Sequence, residues 1–194
     1  MAYTNTKTRN IVYAGMFTAL MAVGAFIKIM IPVGPFMVTF SLQFFFALLA
    51  GLLLGAENGF FSVLAYLVIG LCGVPVFAHG GGAAYLLKPT FGFLIGFAAA
   101  AFVAGTVIKY LRKRTFQAYL LASFCGEIVY YFCGLVYYFV MFNYILAGDA
   151  ETIGVTELIE VWLLSTVVPD FVLCILASMM ACRVFSLFEG GSGR

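Results

Sequence analysis

The residues able to do chemistry collect in one stretch, 77–97, which reads FAHGGGAAYLLKPTFGFLIGF and holds the single histidine, His79, a glycine triplet, Tyr85 and Lys88. So many polar and small residues between two apolar runs make a poor membrane span and a good binding loop. Gly80, Gly81 and Gly82 release the backbone for turns and close approach to a ligand, Pro89 disfavours helix at Lys88, and Thr90 is placed to cap the helix that follows. Two more candidates stand elsewhere. Gln43 interrupts an apolar run, where an unpaired amide is costly and must face a partner, structural or ligand. Asp170 follows Pro169 at a position that reads as a helix start. With Phe40, Phe77, Phe91 and Tyr137 as candidate walls, this is the mixture of an apolar pocket with a few placed polar groups that suits a small organic ligand.

What must position these residues follows from composition. Of 194 residues, 64% are hydrophobic and only 9% charged, with a mean hydropathy of +1.12, whereas soluble domains carry about a quarter charged residues. The chain is an integral membrane protein. A net charge of +2 argues against a nucleic-acid partner. Five dispersed cysteines without a CxxC or a histidine partner support neither a disulfide framework nor a zinc site, and no cofactor is expected.

Six apolar segments divide the chain. Residues 11–31 form the first span, preceded by a polar start with Lys7 and Arg9 and ended by Pro32 and Pro35; the run is too long for a signal-peptide core. The second span covers 36–55, the third runs from 60 to 72, and the fourth from 90 to 108. Lys109, Arg112, Lys113 and Arg114 follow as the densest positive cluster. The fifth span, 118–146, exceeds the roughly 20 residues that cross a bilayer. An acidic segment with Asp149, Glu151, Glu157 and Glu160 comes next, 156–165 reads as a short surface helix, and the sixth span begins at Pro169 and ends near Arg183. Residues 1–189 are read as one six-helix domain and 190–194 (GGSGR) as a linker or tag remnant.

The basic residues set the orientation. With both termini in the cytoplasm, Lys7, Arg9, Lys109, Arg112, Lys113, Arg114, Arg183 and Arg194 are all inside, leaving Lys28 and Lys88 toward the outer face. The expected fold is therefore all-α, six transmembrane helices, N-in and C-in, with an extracellular glycine-rich loop between helices three and four. Each candidate has a plainer alternative. Asp170 suits a helix cap as well as a ligand, Lys28 and Lys88 suit snorkelling to headgroups, His79 suits an exposed loop, and Tyr85 an interfacial anchor.

The segments VTFSLQFFFALLAGLLLG and GLCGVPVFA, with the glycine loop and LLKPTFGFLIGF, resemble the BioY family, the biotin-binding S components of energy-coupling-factor transporters. The resemblance covers most of the chain, from about Ala14 to the sixth helix. It implies a multi-pass protein of the bacterial plasma membrane that binds biotin near its outer face, works with a transmembrane coupling subunit and two ATPase subunits, and is no enzyme itself. No GxxxxGK[ST] phosphate loop is present, so ATP is expected to be used by the partners. On this reading the substrate-binding set is Gln43, His79, Gly81, Gly82, Tyr85, Lys88 and Asp170. Asp170 would accept from the ureido N–H groups, while Lys88 or the backbone N–H groups of Gly80 to Gly82 would face the carboxylate.

Helix one carries Ala14, Thr18 and Ala22 at i, i+4 and i+8, a face that allows close helix approach. The resemblance assigns it to the coupling subunit; packing within the monomer is the alternative. Glu127, an acid at membrane depth, has no assigned role. Where the family carries a lysine three positions after the last-helix acid, this sequence has Leu173, which leaves dethiobiotin and lipoate as alternative ligands. A stand-alone proton-coupled carrier is a further alternative, against which the absence of an internal repeat argues.

Overall fold

A computed structural model describes residues 2–33, 36–145 and 153–191. Its first helix, α1, runs Ala2–Phe26 and gives way to an antiparallel hairpin of β1, Lys28–Val33, and β2, Phe36–Ser41. Helices α2 (Gln43–Leu54) and α3 (Ala56–Leu71) follow, then a loop containing a 3-10 turn, Ala83–Leu87, and α4 (Phe91–Leu111). Helix α5 (Phe116–Val140) ends in a π turn, Met141–Ile145. The last rod is continuous, from α6 (Val155–Leu158) through a π turn, Ile159–Leu163, into α7 (Leu164–Gly191).

Four helical stretches, 7–26, 91–111, 116–145 and 155–187, are long and apolar enough to cross a membrane. α2 and α3 are apolar but have only 12 and 16 residues, about 18 and 24 Å at the helical rise, short of the roughly 30 Å hydrocarbon core. Of the two, α2 is enclosed by its neighbours, while α3 keeps Phe61, Val68 and Ile69 exposed. α2 packs against α1, α3, α4 and α7, and α4 against α2, α3 and α5, so the core forms where Phe44, Leu48, Ala101, Tyr119 and Ala177 meet.

The hairpin corrects the expected first and second spans. Helix one stops at Phe26, not near residue 31, and the second helix starts at Gln43, not at 36. An apolar run shows no period that separates a buried helix from a strand, and here β-branched and aromatic residues on both sides of Gly34-Pro35 pair Ile29 with Phe40 and Ile31 with Val38. Pro32 does not end a helix but sits within a strand opposite Met37, in a two-stranded ribbon where each strand is an edge that tolerates proline. Lys28, expected as a snorkelling residue at the end of helix one, is the first residue of β1 and donates from Nζ to the carbonyl of Ala78.

The last helix also starts earlier than expected. Pro169 lies inside α7, so Asp170 is no helix cap, and 156–165 is the leading part of the same rod and not a separate surface helix. Proline is tolerated in such a helix when its surroundings satisfy the freed carbonyl. Glu157 and Glu160 are exposed along this leading part. Asp149 and Glu151, and residues 192–194 of the expected linker, lie outside the described residues; Gly190 and Gly191 are the final residues of α7.

Candidate functional site

At one end of the bundle, where α2 and α4 begin, the hairpin and the α3–α4 loop close over a cavity of about 90 Å³. Its floor is polar. Asp170 on α7, 2% exposed, accepts at Oδ2 from the Tyr131 hydroxyl at 2.5 Å, and Tyr131 is 2.7 Å from Thr166 Oγ1, which donates to the Trp162 carbonyl at 2.8 Å. Each hydroxyl carries one proton, so Tyr131 gives its own to Asp170 and Thr166 shares one between the Trp162 carbonyl and the tyrosine oxygen. This fixes the carboxylate through Oδ2 in the lining of the cavity.

The walls are aromatic. Tyr130 on α5 stacks on Phe97 (5.2 Å, 6°) and on Phe44 (4.6 Å, 24°), and Phe93 on α4 stands 5.3 Å from Trp162 and 5.4 Å from Tyr130. Phe93 takes this position because residue 134 on α5 is glycine: a Cβ there would lie 2.2 Å from Phe93 Cδ1. The buried Trp162 Nε1 has no hydrogen-bond partner, since Tyr138 beside it does not meet it with hydrogen-bond geometry. A donor thus stands unused in a wall of the cavity.

The opposite wall comes from the hairpin and α2. Val38, Thr39, Phe40 and Ser41 line it, and Gln43, 2% exposed in the first turn of α2, donates from Nε2 to the Tyr66 hydroxyl at 2.6 Å and accepts at Oε1 from Ser41 at 3.1 Å. The amide has found its partners inside the protein and still borders the cavity.

The mouth is positive. His79 lines it, with Nε2 3.4 Å from Thr39 Oγ1. Lys88 reaches the His79 carbonyl at 3.4 Å and lies 4.4 Å over the Tyr85 ring, and Lys28 holds the neighbouring Ala78 carbonyl. Partial burial, then the charges of Lys28 and Lys88, push the His79 pKa below its ordinary 6.5. The imidazole is therefore neutral at pH 7, and the positive charge at the mouth comes from the lysines.

Of the residues singled out in the sequence, Gln43, His79, Tyr85, Thr90 and Asp170 come together around the cavity, with Phe40 as a wall. Gly81, Gly82 and Lys88 do not border it. The glycines build the loop: Gly80 and Gly82 adopt φ of +110° and +100°, and a Cβ on Gly81 would lie 2.2 Å from the Val74 carbonyl oxygen. The N–H of Gly82 is spent on Gly70 O at 2.7 Å and that of Gly80 on Phe77 O at 3.2 Å, so the triplet offers no row of donors to an anion. Thr90 precedes α4 without capping it through its side chain. Phe77 packs behind Tyr85 (4.7 Å), Phe91 is buried between Tyr85 and Tyr137, and Tyr137 donates to the Leu86 carbonyl at 2.6 Å.

Sequence reading missed Phe93, Phe97, Tyr130, Trp162 and Thr166. The signal was weak, because aromatics in an apolar helix read as packing. Leu173, the position where a cation was missing, is 6% exposed in the core and does not border the cavity. Glu127 is buried in α5, where its Oε2 accepts from Cys174 Sγ at 3.4 Å and its Oε1 has no partner.

Away from this cavity, Ala14, Thr18 and Ala22 line a groove of about 530 Å³ between α1 and α3, together with Ala65, Tyr66 and Val76. Thr18 Oγ1 lies 2.8 Å from the Ser62 carbonyl and 2.9 Å from that of Ala14, so part of the small face serves the monomer while the rest faces outward.

Comparison with known proteins gives a consistent result. A family model described as the BioY family matches residues 1–190. The chain is 42% identical to the probable biotin transporter BioY of Lysinibacillus sphaericus, over 94% of this chain and 90% of that protein. It is 37% identical to the biotin transporter BioY of Thermotoga maritima, over 92% and 97% respectively. Among solved structures, the S-component for biotin from an ECF-type ABC transporter superposes with a TM-score of 0.78 at 28% identity, covering 94% of this chain and 93% of that one.

Proposed function

The chain belongs to the BioY family, and from that premise we propose how its closed cavity serves biotin uptake. It is a multi-pass cell-membrane protein, a biotin-transporter S component and not an enzyme. The observation that carries our assignment of contacts is the polarity of the cavity, with a fixed acceptor at the floor and positive charge at the mouth.

Biotin matches that polarity. Its ureido N–H groups would donate to Asp170, whose geometry Tyr131 and Thr166 hold. The ureido oxygen would take the unused Trp162 N–H. The bicyclic body would lie against Phe93, Tyr130 and Phe97, and the carboxylate would point to the mouth, where His79 and the two lysines stand. Gln43 and Tyr85 would shape the remaining wall. Gly81 and Gly82 would act by holding the loop, and Lys88 by its charge. A carboxylate near Lys28 and Lys88 favours the charged ligand, and dry walls strengthen each polar contact.

The cavity end is proposed to face outward, with both termini inside, as the distribution of basic residues requires. The groove formed by Ala14, Thr18 and Ala22 is proposed to receive a transmembrane coupling subunit through close helix packing. Two ATPase subunits joined to that subunit would use ATP, this chain needing no cofactor of its own.

Calorimetric titration of the detergent-purified full chain tests the reading, with biotin, dethiobiotin and lipoate run in parallel. Stoichiometric biotin binding, weaker for lipoate, is the expected result. Binding of lipoate in preference to biotin would overturn the placement of a ureido group at Asp170.

A further inference from the structure

We infer that the end of the bundle opposite the ligand cavity carries a binding site for the phosphate of an anionic phospholipid. The ligand cavity lies where α2 and α4 begin; a second cavity, of about 460 Å³, lies where both end. Leu53 and Leu54 of α2, Ile108 of α4 and Phe185 of α7 give it apolar walls, and Lys109, Arg112 and Arg114 give it charge. Among the residues whose side chains are described, no carboxylate pairs with these three cations. Glu57, exposed in the first turn of α3 close to the cavity-lining Gly55, forms no ion pair with them.

The cations are built in and not merely tethered. Arg114 lays its guanidinium 3.7 Å over the Phe185 ring, which uses the planar face and leaves the N–H edges to donate to phosphate oxygens. Its carbonyl meets Cys182 Sγ of α7 at 3.9 Å. Arg112 closes α4 with φ of +52°, the one non-glycine residue with positive φ among those described. Glycine is the usual residue at such a helix end, and an arginine held there at a conformational cost suggests that its side chain is needed. The two arginines flank Lys113 in the short link between α4 and α5 and enter the same cavity.

A phospholipid fits better than a soluble phosphate because the walls are apolar and the cations sit at the end of a membrane-crossing helix, 91–111. A headgroup can take the charge there while its acyl chain follows Leu53, Leu54 and Ile108. Basic pockets between helices at this depth suit acidic headgroups, each cation contributing about 1 kcal/mol, or about fivefold in affinity.

Native mass spectrometry of the full chain tests this, with phosphatidylglycerol, phosphatidylcholine and inorganic phosphate each titrated into the detergent solution. One phosphatidylglycerol should be retained in preference to phosphatidylcholine. Arg112→Gln with Arg114→Gln should weaken it by about twenty-five-fold on the per-charge figure, whereas Lys7→Gln with Arg9→Gln, at the same end but outside the cavity, should leave it within about twofold. Equal retention of the two lipids, or an equal loss in the Lys7 and Arg9 variant, would reduce the effect to bulk charge and overturn the site. Displacement of phosphatidylglycerol by inorganic phosphate at equal concentration would assign the cavity to a soluble anion and overturn the lipid. The lipid ranking of the unmodified chain decides the matter even if the double variant does not fold.

Discussion

The Tyr66 hydroxyl accepts from Gln43 Nε2 at 2.6 Å and donates to the Val76 carbonyl at 2.9 Å. Gln43 borders the ligand cavity, while Tyr66 and Val76 border the groove on α1 and α3. One phenol therefore separates the two surfaces. Tyr66→Phe removes the acceptor and leaves the Gln43 Nε2 group without its partner while Oε1 keeps Ser41, which costs about 1–3 kcal/mol. Unfolding in a denaturing detergent should show that loss, and the stabilisation given by bound biotin should shrink as Gln43 loses its fixed orientation. A variant with unaltered unfolding and unaltered ligand stabilisation would show the bond to be dispensable.

Asp170→Asn keeps the shape and one oxygen for Tyr131, but with the ureido group placed as proposed it would turn an NH₂ toward the ligand's own N–H groups. Two donors then face each other. Replacing an acceptor by a donor in this way should weaken biotin by about ten- to a hundredfold, while the unliganded protein folds as before. Calorimetry reads the difference directly. Unchanged affinity would leave Asp170 as an internal partner of Tyr131 and Thr166 only.

How much of this was legible beforehand varied by residue. The membrane class, six helical rods and a glycine loop between the third and fourth followed from hydropathy and punctuation, which are local properties. The hairpin did not, because Ile29, Ile31, Val38 and Phe40 belong to apolar runs long enough to continue a helix, and strand pairing is a relation between segments. Asp170 and Gln43 stood out as polar groups at membrane depth. Phe93, Tyr130 and Trp162 did not, since nothing local separates a cavity wall from a core contact. Pro169 misled for a physical reason: a proline marks a boundary in an isolated helix, yet here the rod passes through it.

The His79 pKa lies below 6.5 in the folded protein. Between that lowered value and 6.5 the unfolded chain binds more protons than the folded one, so stability falls as pH drops through this window and levels off below it. His79→Gln removes this component. Melting curves from pH 7.5 to 5 should therefore show a smaller decline in the variant, while His79 should add no pH dependence to biotin binding between pH 7 and 8, where the ring is already neutral. An equal decline in both proteins would place the pH dependence on other groups.

Gly134→Ala tests the packing of the wall. The added methyl would meet the Phe93 ring at 2.2 Å, so Phe93, which lines the cavity, must move. Overpacking of this kind costs about 1–3 kcal/mol, and a ring pushed into the cavity should lower biotin affinity by at least about tenfold. Phe93→Leu in the same chain makes room for the methyl, so the double variant should bind more tightly than Gly134→Ala alone. Additive losses would mean the two residues do not compete for space.

Trp162→Phe separates two roles of one side chain by their sign. The indole ring packs on Phe93 at 5.3 Å and Tyr138 at 5.0 Å, and phenylalanine retains most of that contact. What it deletes is the buried N–H without a partner. An unpaired buried donor is a cost to the empty protein, so its removal should leave unliganded stability unchanged or raised by up to about 1 kcal/mol. If the same N–H binds the ureido oxygen, biotin affinity should fall by about five- to tenfold at the same time. Thermal melting without ligand and calorimetry with biotin give the two readings. Stability and affinity lost together would make Trp162 a packing residue, and affinity retained would return the N–H to the role of an unused donor.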